Sequence, residues 1–437
     1  MFLPDVPGRA TELTRGTAPI LLTMAGYNGT LAAVRCLGAL GVPITVADPQ
    51  LFAPARWSRF ATRRLFCPSV QDHGRFIAWL MAFGARSPGH VLYPTGDDVA
   101  WLYALHHQEL SRYFHVYQPP VEVIYTLLNK CLLQQACGKV GIEMPRTWCL
   151  RNGENLSQIE DQLTFPLLVK PQTQILFWPH VKGFVAKSRE SLRPTYEKFI
   201  AMARHAPLMA AYDPGVEAPL LQAYLPGATT SIYNLSGFVD ESGELFVARA
   251  SKKVLQRPRQ IGVGLCFEEA ETNHLLAQKL LALCRSVGYH GVFEVEFIES
   301  DGRFLLIDFN PRFYGQMAFD IARGVPLPFF AYQAALERQE QLRASVELAR
   351  RSEQTLGARA YCNRMEFRLL LRLQRLAGGM DAAGTRRWSS WFEGHRRMTD
   401  AVLDPNDRGP GLAHLASHVI DSVRHPRSFV RQLASEE

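Results

Sequence analysis

The chain has 437 residues, a formal net charge of +7, 47% hydrophobic residues and 20% charged ones. Such a length exceeds one core and predicts two or three domains of a soluble globular protein. The modest positive charge suits an anionic ligand; no apolar run nears the roughly 20 residues that cross a bilayer, and no aromatic–basic pattern of a nucleic-acid module occurs.

The opening "MFLPDVPGRATELTRGTAPI" has no basic head followed by an apolar segment, so no secretory signal is expected. Eight cysteines, at 36, 67, 131, 137, 149, 266, 284 and 362, form no paired CxxC motifs. That pattern argues against a zinc site or a disulfide framework and predicts reduced thiols in a cytoplasmic protein.

Residues 19 to 50, "PILLTMAGYNGTLAAVRCLGALGVPITVADPQ", read as strand, glycine turn, helix and a second strand ending at Asp48. This is a βαβ unit of a doubly wound sheet. Gly26 and Gly29 would permit close approach of a ligand to the helix N-terminus, but the full GxGxxG is missing, and a tight turn without ligand reads equally well. "HVLYPTGDDVAWLYALHHQEL" adds a strand and a helix, with Asp97 and Asp98 as its cap.

The character changes after Pro119 and Pro120, where a domain boundary is expected. Up to about residue 330, short strands such as "FPLLVKP", "APLLQAYLPG" and "SIYNLSGFVD" alternate with helices, which suggests an α+β pair of lobes. From "YQAALERQEQLRASVELARR" onward the chain reads as arginine-rich helices. The apolar residues of "MEFRLLLRLQRLAGG" surround most of its helix, which favours docking on the protein over lying on a membrane surface. The expected organisation is 1–119, 120–330 and a helical extension over 331–437.

The most informative stretch is "LLIDFNPRFYGQ", residues 305 to 316, a buried strand that places Asp308, Asn310 and Arg312 on one face. With "VFEVEFI" before it, it forms a hairpin whose turn length sets the pairing. A two-residue Asp301–Gly302 turn would pair 296 with 307 and put Asp308 on the face opposite Glu296. A three-residue loop, Ser300–Asp301–Gly302, pairs Glu294 with Asp308 and leaves Glu296 diagonally near. Three carboxylates and Asn310 then crowd one face, and a divalent cation held by oxygens relieves their repulsion. The plainer reading is a solvent-facing polar edge. Against it, the other face (Phe293, Val295, Phe297, Ile307, Phe309) is strongly apolar, and the polar face holds few lysines, as a cleft would.

"GVFEVEFIESDGRFLLIDFNPR" resembles the metal-binding hairpin of the ATP-grasp superfamily, a glutamate on one strand and E/D-x-N-P/T-R on the next. The resemblance spans about residues 120 to 330, and the N-terminal βα unit is similar to the Rossmann-like domain that precedes this fold. Within the superfamily it resembles the carboxylate–amine ligases of the D-aspartate ligase type. The resemblance implies an α/β N-terminal domain, a two-lobed α+β ATP-grasp domain and a helical C-terminal tail.

It implies further that Glu296, Asp308 and Asn310 hold two magnesium ions, manganese serving as well, which bridge the phosphates of ATP. Arg312 would steady the transferred phosphoryl group or an acyl phosphate. The family more often has glutamate where this chain has Asp308. Lys130 matches the lysine that opens the domain, Lys170 in "PLLVKP" the strand lysine that reaches the phosphates, and Lys253 a cation near the γ-phosphate, although Lys252 stands beside it. "PLLQAYLPG" resembles the hinge whose backbone at Gln222, Ala223, Tyr224 and Leu225 reads the adenine edge.

One segment departs from the pattern. Where many relatives close a glycine-rich loop over the triphosphate, this chain has "KPQTQILFWPHVKGF". Its Phe177, Trp178 and Pro179 suggest an aromatic lid or a substrate loop. The implied activity is ATP-dependent amide or peptide bond formation from a small carboxylate and an amine, with an amino acid as substrate, and a homodimer is the implied assembly. Bicarbonate-using carboxylation and ATP binding without catalysis are the alternatives.

Overall fold

The computed structural model describes residues 17–150, 156–179, 181–225, 232–257, 263–352, 359–376, 381–395 and 398–424. The chain begins with a parallel five-stranded sheet in the order β3-β2-β1-β4-β5, formed by β1 (Ile20–Leu22), β2 (Ile44–Ala47), β3 (Arg63–Leu65), β4 (His90–Leu92) and β5 (Phe114–Val116). The short apolar runs of β1, β2 and β4 are wholly buried, as a parallel sheet covered by helices demands. This is the doubly wound arrangement read from residues 19 to 50.

The glycine turn serves packing. A Cβ on Gly29 would stand 2.6 Å from the carbonyl oxygen of Tyr314, so the helix Asn28–Ala39 abuts the segment just past the hairpin. The close approach expected of a ligand there is occupied, at Gly29, by the protein's own backbone.

After β5 the chain enters two further sheets. A small antiparallel sheet has the order β6-β11-β7-β9, from β6 (Thr147–Cys149), β7 (Leu167–Lys170), β9 (Phe184–Ala186) and β11 (Leu220–Ala223). Between them, β8 (Phe177–Trp178) pairs with β10 (Arg204–His205). The large sheet contains β12 (Ile232–Val239), β13 (Phe246–Arg257), β14 (Val263–Ala270), β15 (Gly291–Ser300), β16 (Arg303–Asn310), β17 (Ala360–Cys362) and β18 (Met398–Asp400). Its order is β16-β15-β12-β13-β14-β17-β18, antiparallel except for the last pair.

The C-terminal region is therefore more than helices, because β17 and β18 extend the large sheet at its edge. The helix Arg364–Leu376 docks as expected, with Phe367 and Leu370 buried beside Trp388, Leu255 and Cys266. No helix among the described residues is long and apolar enough to cross a membrane.

The apolar face of the β15–β16 hairpin forms the main core. Phe293, Phe297 and Phe309 are fully buried with Leu280 and Leu283 of the helix His274–Val287. Truncating any one of those rings would cost about 3–5 kcal/mol.

The expectation of eight reduced thiols is corrected at one pair. Cys131, in the first turn of the helix Lys130–Lys139, and Cys149 on β6 form a disulfide with their Cα atoms 6.0 Å apart. Helix-against-strand packing brings them together, which their spacing in sequence does not reveal. The other six cysteines are free and buried.

Candidate active site

The site begins with the hairpin. Ser300 pairs with Arg303, so the turn has two residues, Asp301 and Gly302, with φ of 51° and 72°. Both are positive, which gives the mirror-image turn that Asp-Gly favours and whose twist suits a hairpin. The three-residue loop is thus corrected. Left alone, the two-residue turn would send Asp308 to the wrong face.

A bulge at Ile307 prevents that. Phe297 pairs with Leu306, but Glu296 pairs with Asp308 and Glu294 with Asn310. The extra residue reverses the alternation, so both pairs share a face. On the neighbouring strand β12, Asn234 stands beside Glu296 and Ser236 beside Glu294. Polar residues thus run in rows across the sheet.

Each acid meets a cation or an amide. Lys130 Nζ lies 2.8 Å from Asp308 Oδ1, and Lys253 Nζ 2.5 Å from Glu296 Oε1. Lys252 instead reaches Glu299 Oε2 at 3.2 Å, so of the adjacent lysines it is Lys253 that faces the site. Burial alone would raise the Asp308 carboxyl, but Lys130, Lys182 and Lys170 hold it down at about 2. Glu294 accepts from Asn310 Nδ2 at 2.5 Å and from Gln316 Nε2 at 3.0 Å. Burial, then the charge of Glu296, pushes it up to about 8.

Lys130 owes its position to a capped helix. Asn129 Oδ1 accepts from the amides of Cys131 and Leu132, which sets Lys130 as the first helical residue. Lys170 ends β7 and donates to Gln222 Oε1 at 2.7 Å, while Gln222 Nε2 donates to Thr147 Oγ1. Burial, with Lys130 nearby, lowers Lys170 to about 7.

These groups face a cleft of about 870 Å³, its open mouth included, between the small sheet and the large one. Lys130, Lys170, Gln222, Ala223, Tyr224, Leu225, Glu296 and Asp308 all line it, with Leu168, Ile232, Ile298 and Ile307 as apolar walls. Lys253, Asn310 and Arg312 do not line it, and Lys253 meets it through its ion pair with Glu296. The Ala223 amide is taken by the Arg146 carbonyl and the Tyr224 amide by that of Pro166. The Pro226–Gly227 step after the hinge lies outside the described residues.

Arg312 faces the helices that follow β1 and β4. Its Nε donates to Asp97 Oδ1 at 2.6 Å, one terminal nitrogen to Tyr27 Oη at 2.9 Å, and the other to Asn310 Oδ1 at 2.7 Å. Burial opposes its charge, but Asp97 and Tyr27 more than offset that and raise its pKa. Asp97 is thus an arginine clamp in the first helical turn, and Asp98 Oδ1 accepts the Leu176 amide at 2.7 Å.

The aromatic loop forms no lid at Phe177. That ring is buried, 6.0 Å from the ring of Phe199 and 4.8 Å from His205, whereas Trp178 is exposed. Sequence reading missed Lys182 and Gln256, both in the cleft wall. Lys182 sits in an irregular loop without periodic signal. Gln256 reaches the wall past a register shift in β13, which no alternation pattern foretells.

No family model matches the sequence, and no curated protein matches it. Solved structures match in fold. The biotin carboxylase domain of the 2-oxoglutarate carboxylase of Hydrogenobacter thermophilus, in complex with MgADP, ADP and bicarbonate, has a TM-score of 0.59 at 13% identity, over 74% of this chain and 70% of that one. An L-amino acid ligase from Bacillus licheniformis has a TM-score of 0.57 at 12% identity, over 76% and 78%. N5-carboxyaminoimidazole synthetase from Staphylococcus aureus has a TM-score of 0.54 at 13% identity, over 72% and 77%. At such identities the likeness is one of fold, and it singles out no branch.

Proposed function

We propose that this chain, whose fold is that of the ATP-grasp enzymes, is an ATP-dependent ligase that joins a small carboxylate to an amine, the latter an amino acid. One observation carries this reading: Glu296 and Asp308 stand opposite each other on one face, with Lys130 and Lys170 beside them in a cleft between lobes and Lys253 ion-paired to Glu296. A solvent-facing edge would not enclose its acids in this way.

The adenine would lie between Leu168 and Ile298, its edge against the Tyr224 carbonyl and the Leu225 amide, neither of which has a backbone partner among the described residues. Lys130 and Lys170 would meet the phosphates. Glu296 and Asp308 are hard oxygen donors held in a cleft, and Asn310 Oδ1 keeps a second lone pair beyond the one Arg312 uses. The set fits magnesium. Bound there, the metal would neutralise charge on the phosphates.

The reaction follows from the chemistry of the carboxylate, whose oxygen leaves poorly. A substrate carboxylate oxygen attacks the γ-phosphorus and ADP departs, giving an acyl phosphate. The amine then attacks the acyl carbon, phosphate leaves with the bonding pair, and the nitrogen loses a proton. The protein's share is alignment and charge stabilisation. Arg312 is fixed by Asp97 and Tyr27, and its Nη2, which also holds Asn310, would supply the N–H that meets the transferred group.

The test is ADP release with magnesium and ATP against pooled amino acids of both hands and small carboxylic acids. Release that requires one pool and disappears in a folded Glu296→Gln variant supports the ligase. Near-normal turnover in that variant overturns the metal assignment. Because one neighbour was solved with bicarbonate, labelled bicarbonate is a separate arm, and its incorporation would replace the ligase by a carboxylase.

A further inference from the structure

Outside the residues that line the cleft, the helix Gly409–Arg424 carries His414 and His418, four residues apart and so on one face. Their Nε2 atoms are 3.1 Å apart. Glu366, on the helix Arg364–Leu376, places Oε1 3.7 Å from His414 Nε2. One ligand atom from each of the three lies within 4.8 Å of the others.

These spacings come near a metal's bite. Tetrahedral zinc with bonds of ~2.0–2.1 Å requires ligand atoms ~3.3 Å apart, so the observed distances close around an ion with small side-chain movement. Two histidines at i and i+4 are a recurrent way for one helix to grip zinc. His414 and Glu366 are largely shielded, with side-chain exposures of 13% and 22%.

Both helices are anchored independently. Asp407, just before the first, accepts from Arg35 Nε, Ser58 Oγ and the Arg59 amide at 2.8 to 2.9 Å. Gly409 is pressed against the Trp57 carbonyl. The second helix starts at Arg364, whose Nε donates to Asp400 on β18 at 2.6 Å, and buries Phe367 against the edge of the large sheet. The ligands are thus held from opposite sides.

We propose that Glu366, His414 and His418 form a zinc site that clamps the C-terminal helix, seated on the N-terminal domain, to the edge of the large sheet. Imidazole nitrogens select zinc or cobalt over magnesium, and three protein ligands leave a fourth position for water. The cysteine spacing that argues against zinc in the sequence does not bear on a site built from histidine and glutamate.

The test uses the full chain. Zinc content after dialysis is measured, and cobalt is titrated to read the strong visible bands of tetrahedral coordination. One zinc per chain is expected, with tetrahedral cobalt bands. The His414→Gln/His418→Gln double variant should lose both, and Glu366→Gln should weaken binding at least about tenfold. Glu296→Gln should leave both signals intact, which separates this site from the cleft. Absence of stoichiometric zinc in the unaltered protein, or unchanged cobalt bands in the double variant, overturns the proposal.

Discussion

Lys130 and Asp308 are 178 residues apart in sequence, yet Lys130 Nζ lies 2.8 Å from Asp308 Oδ1. The pair joins the first turn of a capped helix to the hairpin bulge, and both members face the cleft. Its side chains are 15% and 40% exposed. Solvent screening at that exposure limits its own contribution to about 0–1 kcal/mol.

Asp308→Asn should therefore leave the melting temperature nearly unchanged while turnover falls by roughly 100-fold or more, the scale of losing a charge-stabilising group. Calorimetry on the folded variant should show weakened binding of magnesium nucleotide. A folded variant with unaltered turnover would remove Asp308 from the site.

Lys170 gives a pH signature. An unfolded lysine keeps its proton up to about 10.4, whereas burial, with Lys130 nearby, makes the folded one release it near 7. Between those values the unfolded chain binds more protons, so this residue's contribution to stability rises with pH. Denaturant unfolding from pH 7 to 10 should show a flatter slope in Lys170→Met. ATP binding above pH 7 should take up a proton, read as a dependence of binding heat on buffer, and the variant should lose it.

The Asp97–Arg312–Tyr27 clamp should act on turnover more than on nucleotide affinity. Asp97→Asn leaves the guanidinium underpaired at a side-chain exposure of 11%, and should cost about 3–5 kcal/mol of stability at most. Tyr27→Phe removes one hydrogen bond, about 0.5–1.5 kcal/mol. In Tyr27→Phe, kcat should fall while the KM for ATP holds. A change in KM alone would place Arg312 in nucleotide binding instead.

Gly29→Ala tests how the helix Asn28–Ala39 seats on the segment after the hairpin. With a Cβ only 2.6 Å from the Tyr314 carbonyl oxygen, overpacking should cost about 1–3 kcal/mol. Because Tyr314 lies two residues beyond Arg312, turnover should fall as well. Unchanged stability would mean that this helix can shift freely.

Part of this molecule is legible because it is written in local pattern. The runs around Leu167–Lys170, Leu220–Ala223 and the Gly291–Asn310 hairpin alternate or cluster as strands do, and each forms one. The strands β17 and β18, three residues each, carry no such pattern, since segments so short become strands only when an existing sheet edge accepts them. Phe177, in a segment whose aromatic residues suggest a lid, is claimed by the rings around it, a matter of volume that spacing does not record.

The sequence by itself determined that Glu294 and Glu296 share one face of their strand, and Asp308 and Asn310 one face of theirs, because side-chain alternation is local to a strand. The tertiary structure alone decided which acids oppose each other, since one unpaired residue at Ile307 reverses the alternation and its place depends on the partner strand. It decided, too, that Lys253 rather than Lys252 meets Glu296, that Arg312 is held by Tyr27 and Asp97, and that Cys131 bonds to Cys149. Those choices join residues far apart in the chain, and only the packing of whole elements brings them within reach.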